Sequence, residues 1–395
     1  MSVATGAPRS TPVLPLSPAR RTLVGACLAH ALHDGYTDTI YVLLPLWQAE
    51  FALGFGALAA LRGLYAGTMA VLQIPAGRLA ERFGGRAVLV AGTLLSALGY
   101  ALAGFSGGLL GLCAALALSG AGSATQHPLA SAAVSHAYGA EARGPLGIYN
   151  FAGDLGKAAL PALMALLVAA MPWRPALWLM ATIGVAGAAA VWTLVPGFGG
   201  IERSAPEAAK GEGRGGFWLL FAIGVLDSGV RMGFLTFLPF LLRAKGAELP
   251  MVGLALSLVF LGGAAGKFAC GWLGARLGLL VTVLATEVGT AIAILAVIAL
   301  PLAPALILLP LLGIMLNGTS SVLYGTVPEL APPGQEAHAF ALFYTGTIGS
   351  GAISPVLYGI VGDFAGPAWG VASAAGAALL VCPLALLLAP RLRAS

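Results

Sequence analysis

GRLAERFG, residues 77–84, returns as GWLGARLG, residues 271–278, with both glycines, the leucine and the arginine in register at an interval of 194 positions. Other stretches keep nearly the same interval. LPL at 44–46 returns as LPF at 238–240, Asp34 lies 193 positions before Asp227, and Gln73 falls opposite Lys267. GDLG at 153–156, with Pro161 behind it, is echoed by GTIG at 346–349, with Pro355 behind it. One match can be chance, but a shared interval at several places marks an internal duplication.

The composition says in which solvent the two copies fold. Of 395 residues, 59% are hydrophobic and 9% charged, and mean hydropathy is +0.93. Soluble domains carry about 25% charged residues. Apolar runs of about 20 residues, enough to cross a bilayer, recur throughout. Twelve spans are predicted, among them 22–47, 108–134, 250–273 and 279–300. The expected fold is an all-α integral membrane protein of twelve transmembrane helices in two pseudo-symmetric six-helix bundles, 22–196 and 216–390. Residues 197–215, rich in glycine and alternating charge, read as a cytoplasmic linker, 1–21 as a cytoplasmic tail without a signal-peptide cleavage pattern, and 391–395 as a second short tail. Paired bundles about a central linker are the pattern of a secondary transporter with a midplane site.

Placing the N-terminus inside gives the inner side Arg9, Arg20, Arg21, Arg78, Arg82, Arg86, Arg143, Arg203, Lys210, Arg214, Arg276, Arg391 and Arg393. The outer loops keep Arg174, Arg243 and Lys245, so both termini are expected in the cytoplasm, with the protein in the inner membrane. The net charge of +5 is explained by those loops, and no basic patch with interleaved aromatics points to nucleic acid. Cys27, Cys113, Cys270 and Cys382 fall in separate apolar spans as packing residues, with neither disulfide nor zinc spacing. No nucleophile-and-base motif or cofactor loop appears, so neither an enzyme nor a cofactor is expected. The expected partners are a small-molecule substrate, protons and the lipid bilayer, with the chain a monomer.

GRLAERFGGR, Gly77 to Arg86, follows a second span and resembles the loop motif of the major facilitator superfamily, with Glu81 where that family usually has Asp. AHALHDGYTDTIYVLLPLWQAEFAL in the first span, SGAGSATQHPLASAAVSHAYG in the fourth and RGPLGIYNFAGDLGKAALPAL in the fifth are similar to the fosmidomycin-resistance branch of efflux proteins. His33, Leu129 and Asp154 depart from that branch's usual Asn, Glu and Asn. The resemblance implies proton-driven export of a small anionic or amphiphilic compound, drug- or phosphonate-like. It also implies that Gly77, Arg78, Glu81, Arg82 and Arg86 form a gate stabilising the outward-facing state.

A charge at the centre of a span costs about 2.5–3.5 kcal/mol, so each one needs a reason. Asp34, Asp38, Asp154, Lys157, Asp227, Arg231, Lys267 and Glu287 fall inside spans. His30, His33, Asp34, Thr37, Asp38 and Tyr41 share one helical face, which must meet a cavity or a polar partner. A buried aspartate whose cationic neighbour comes and goes can load and release a proton. Asp34, Asp38, His127 and Asp154 are therefore candidates for proton coupling. His30, His33, Tyr41, His127, Tyr149, Asn150, Lys157, Asp227 and Arg231 are candidates for binding substrate, with Arg231 suited to bidentate recognition of an oxyanion. Three alternatives remain open: a structural polar seam, an uptake symporter for a small organic anion, and a metal-ion or metal-chelate transporter using His30, His33 and Asp34. Asp154 with Lys157, and Asp227 with Arg231, are spaced to pair locally, and Lys267 is expected to snorkel or to pair with Glu287.

Overall fold

The structure, a computed structural model, describes residues 17–199, 216–332 and 335–392. The tail with Arg9, most of the linker with Arg203, Lys210 and Arg214, and the end with Arg393 lie outside the described residues. Within them the chain is helical and no strand occurs. The first bundle holds α1 (Pro18–Phe51), α2 (Phe55–Phe83), α3 (Gly85–Phe105), α4 (Leu109–Ser123), α5 (Gln126–Tyr138), α6 (Arg143–Ala170) and α7 (Trp173–Leu194). The second holds α8 (Phe217–Ala244), α9 (Leu249–Ala299), α10 (Leu302–Leu330), α11 (Glu336–Ala365) and α12 (Pro367–Leu392). Among the described residues, ten helical stretches are long and apolar enough to cross a membrane. α1 is not among the ten, because its polar stripe dilutes an otherwise apolar helix.

The duplicated motif makes the same corner twice. Gly84, between α2 and α3, has φ 84° and ψ 139°, and Gly278, inside the 51-residue stretch named α9, has φ 80° and ψ 167°. A side chain is strained at such angles, so glycine ends both copies of the motif. The spans expected at 250–273 and 279–300 are thus joined without a loop. The span expected at 108–134 is instead broken at Ala124–Thr125 into α4 and α5. Pro128 explains the break: in the first turn of α5 its missing N–H costs nothing, whereas in mid-helix it would forfeit a bond and clash with the preceding turn.

Small residues let the helices touch. A Cβ on Gly156 of α6 would stand 2.0 Å from the Ala31 carbonyl oxygen of α1, so these backbones meet directly. The Tyr36 hydroxyl donates to the Met180 carbonyl and the Tyr100 hydroxyl to the Tyr36 carbonyl, fastening α1 to α7 and α3. Leu110, Ile307 and Phe364 are more than three-quarters exposed on outward faces, as suits acyl chains rather than water.

The end of the molecule carrying Leu194 and Phe217 is the linker end; the other is the far end. At the far end, Arg174 meets Glu50 at 2.6 Å and Trp173 Nε1 donates to it at 2.7 Å. The Arg174 hydrogen bond, with help from Trp173, holds the Glu50 carboxyl below its usual range. Also there, Asp363 of α11 accepts the backbone N–H groups of Phe55 (2.5 Å) and Gly56 (3.0 Å). Asp363 thus caps α2 of the other bundle, whose own N-cap is the bare Gly54.

A candidate substrate site between the bundles

A cavity of about 520 Å³ lies between the two halves and is lined from both. From the first half come His30, His33, Asp34, Thr37, Asp38, Arg62, His127, Asn150 and Lys157; from the second come Ser228, Arg231, Lys267, Ser320 and Tyr324. Tyr41, Tyr149, Asp154 and Asp227 are buried beside it without lining it.

Asp34, halfway along α1, is the hub. Its carboxylate lies 3.2 Å from His30 Nε2, 3.7 Å from His33 Nε2, 3.6 Å from His127 Nε2 and 3.2 Å from Lys157 Nζ. The α4–α5 break brings His127 to this point, and the Gly156–Ala31 contact brings Lys157. Gly153 keeps the space open, since a Cβ there would lie 2.7 Å from both Asp34 Oδ2 and the His30 ring.

One bond fixes the protonation logic. His30 Nδ1 lies 2.9 Å from the Tyr149 carbonyl oxygen, which can only accept, so Nδ1 carries a hydrogen. A neutral His30 then has a bare Nε2. Its 3.2 Å contact with Asp34 Oδ2 is a hydrogen bond only when one more proton sits on Nε2 or on the carboxyl. The Tyr149 ring stacks on His30 at 4.1 Å and holds it in place.

The other ion pairs differ from those that spacing suggests. Asp154 does not pair with Lys157: both its oxygens lie 2.7 Å from Lys267 Nζ on α9, across the boundary between the halves. Lys267 therefore does not pair with Glu287. Glu287 is instead buried beside Asp227, and its Oε2 meets no hydrogen-bond partner among the described residues. Arg231 stands 3.9 Å from Asp227, the expected local pair in a loose form, and donates to Ser320 Oγ at 3.0 Å.

Arg62 went unrecognised in the sequence reading, although an arginine in LAALRGLYAG was a legible signal. It is 3% exposed and reaches across the boundary, donating to the Gly351 carbonyl and to Met232 Sδ, both at 3.2 Å. Tyr41 donates to the same sulfur at 3.4 Å. In the duplicated corner, Arg78, Glu81 and Arg82 are exposed beside Gly77, and Arg86 stacks over Trp192 at 4.2 Å.

A metal reading must be set against this geometry. His30, Asp34 and His127 offer ligand atoms within 4.8 Å of one another, so the face that fits an ion takes His127 rather than the expected His33. The Lys157 ammonium already sits on the same carboxylate and opposes a second cation.

Two helical bundles enclosing one charged cavity define a multi-pass membrane transporter. The chain belongs to the Major Facilitator Superfamily, whose model matches residues 26–219 and 217–395. It is 27% identical over 288 residues to the probable sulfoacetate transporter SauU of Cupriavidus necator, a match covering 65% of each chain. Its fold is similar to that of a bacterial homologue of the human lysosomal transporter Spinster, in an inward-facing and occupied conformation. There the TM-score is 0.77 at 15% identity, covering 95% of this chain and 98% of the other. The human organic anion transporter MFSD10 is similar at a TM-score of 0.64 and 17% identity, covering 94% of this chain and all of the other.

Proposed function

We propose that this protein is a proton-coupled transporter of a small organic anion, in which twelve helical traversals rock as two halves about the central cavity. The observation that carries the reading is the His30–Asp34 contact, a hydrogen bond that exists only with a proton in it. Charge counting supports the anion. Arg62, Lys157, Arg231 and Lys267 face Asp34 and Asp38 across the cavity, with Asp154 and Asp227 behind them. With the neighbouring Asp227 and Glu287 carboxyls counted as a single negative charge, four cations balance four negative charges, and a proton on the His30–Asp34 pair leaves one positive charge in excess. One carboxylate or sulfonate group neutralises it, so proton and anion favour each other's binding. The sulfoacetate relative and the human organic anion transporter fit this substrate class.

Direction follows from which gradient drives the cycle. Coupled uptake uses the parts as counted; export of an amphiphilic or phosphonate-like drug, as the fosmidomycin-resistance likeness implies, needs the proton to leave before the substrate arrives. A second reading, transport of a divalent metal, is favoured by the His30, Asp34 and His127 geometry. It requires Lys157 to withdraw.

The test is flux in liposomes under an imposed pH gradient, with sulfoacetate as probe and a pH-sensitive dye inside. Asp34→Asn is expected to abolish substrate-dependent proton flux, a loss of at least about 100-fold, while the protein still folds. Unchanged proton flux in that variant would sink Asp34 as the carrier. Flux of zinc or manganese in place of the anion would move the assignment to the metal reading.

A further inference from the structure

Three of the four cations in the cavity have a carboxylate partner: Lys157 has Asp34 at 3.2 Å, Lys267 has Asp154 at 2.7 Å, and Arg231 has Asp227 at 3.9 Å. Arg62 has none within ion-pair distance among the described residues. Its partners are a backbone carbonyl and a thioether, with the Tyr41 ring 5.2 Å from the guanidinium carbon. Asp38, which lines the same cavity, is the acid whose field it feels, without contact.

A buried charge with no counter-ion in contact is expensive, so its retention calls for an occupant of opposite sign. A merely structural strut across the boundary would not require one, since a neutral amide donates to a carbonyl equally well. The donors also remain underused. A guanidinium has five N–H bonds; two are engaged, and the Nε–H is buried with no partner. The unused Nε–H lies on the planar edge that grips a carboxylate or sulfonate with two parallel bonds. Arg62 stands seven residues from the far end of α2, about 10 Å down the helix, and lines the cavity from there.

We propose that Arg62 is the residue that grips the oxyanion group of the substrate, and that in doing so it releases Gly351 and Met232 of the opposite half. This rests on the reading of the protein as an organic anion transporter and assigns the binding contact within it. Loading then weakens a bond between the halves at the same moment that it neutralises the cavity.

The experiment is equilibrium binding to the purified full-length protein, with sulfoacetate and malonate as probes and acetamide as the uncharged control. Wild type is expected to bind the two anions and not the amide. Arg62→Gln is expected to weaken anion binding about 100-fold, and Arg62→Lys, which keeps the charge but loses the fork, about 10-fold. Met232→Leu, which removes the sulfur that ties both Arg62 and Tyr41, is expected to bind equally well or a few-fold tighter, and with Arg62→Lys it carries the test if Arg62→Gln does not fold. Anion binding by wild type that survives unchanged in both Arg62 variants overturns the role of Arg62 and leaves the transporter reading standing. Loss of binding in Met232→Leu comparable to that of Arg62→Gln also overturns it, because Arg62 is then a strut. Wild type that binds neither anion overturns the organic anion reading, and this assignment with it.

Discussion

Asp34 and Asp227 occupy equivalent positions in the two copies of the repeat, yet their surroundings have opposite sign. Asp34 is met by three histidines and a lysine, whereas Asp227 is met by a second carboxyl, Glu287, and by an arginine at 3.9 Å. Leu226 stands where the first half has His33. Duplication thus supplied two buried aspartates with different surroundings. A carboxylate among cations can exchange a proton as those cations move, whereas Asp227 has a single cation near it, Arg231 at 3.9 Å.

The sharpest way to break this comparison is to neutralise each aspartate in turn. Against the expected abolition of proton flux in Asp34→Asn, Asp227→Asn is expected to reduce it by less than about 10-fold, because an amide resembles the protonated partner of Glu287. Equal losses in the same liposome assay would mean that the halves share the proton task.

The next contrast lies between Gln73 and Lys267, equivalent positions of which only the second bears a charge, paired with Asp154 of the other half. Lys267→Gln leaves Asp154 buried without a counter-ion and is expected to cost about 1–2 kcal/mol, less than a fully buried pair because the lysine is partly exposed. Asp154→Asn combined with Lys267→Gln is expected to recover much of that loss in thermal unfolding. Additive losses in the cycle would show that the pair does not couple.

The smallest effect concerns Asp363, whose equivalent at 169 is alanine. Asp363→Ala removes the cap that α11 places on α2 and is expected to cost about 1 kcal/mol of stability. An unchanged unfolding temperature would mean that the far-end closure rests on apolar packing alone.

Much of the site was legible from residue type. The stripe from His30 to Tyr41, together with His127, Lys157 and Arg231, pointed at one cavity, since charge inside an apolar span has few other reasons to persist. Partner choice was not legible. Spacing allows Asp154 to pair with Lys157 three residues on, but the packing of α6 against α9 delivers Lys267 and frees Lys157 for Asp34. Asp363 stands near the end of its own helix in the sequence, and the packing of α11 on α2 makes it a cap for the other bundle. Arg62 was visible as a letter, but its meaning depends on having no carboxylate in contact with it, which no one-dimensional reading reveals.

By itself, the sequence determined what is local or periodic: apolar runs that must be helical in a bilayer, a repeat at 194 positions, and glycines at 84 and 278 whose backbone angles bar side chains. Such features depend on a residue and its near neighbours along the chain. The tertiary structure decided which charges meet, where the fourth span breaks, and that one guanidinium has no carboxylate in contact among the described residues. Those outcomes turn on ångström-scale approaches between helices, where a missing Cβ at Gly153 or Gly156 determines which side chain arrives first.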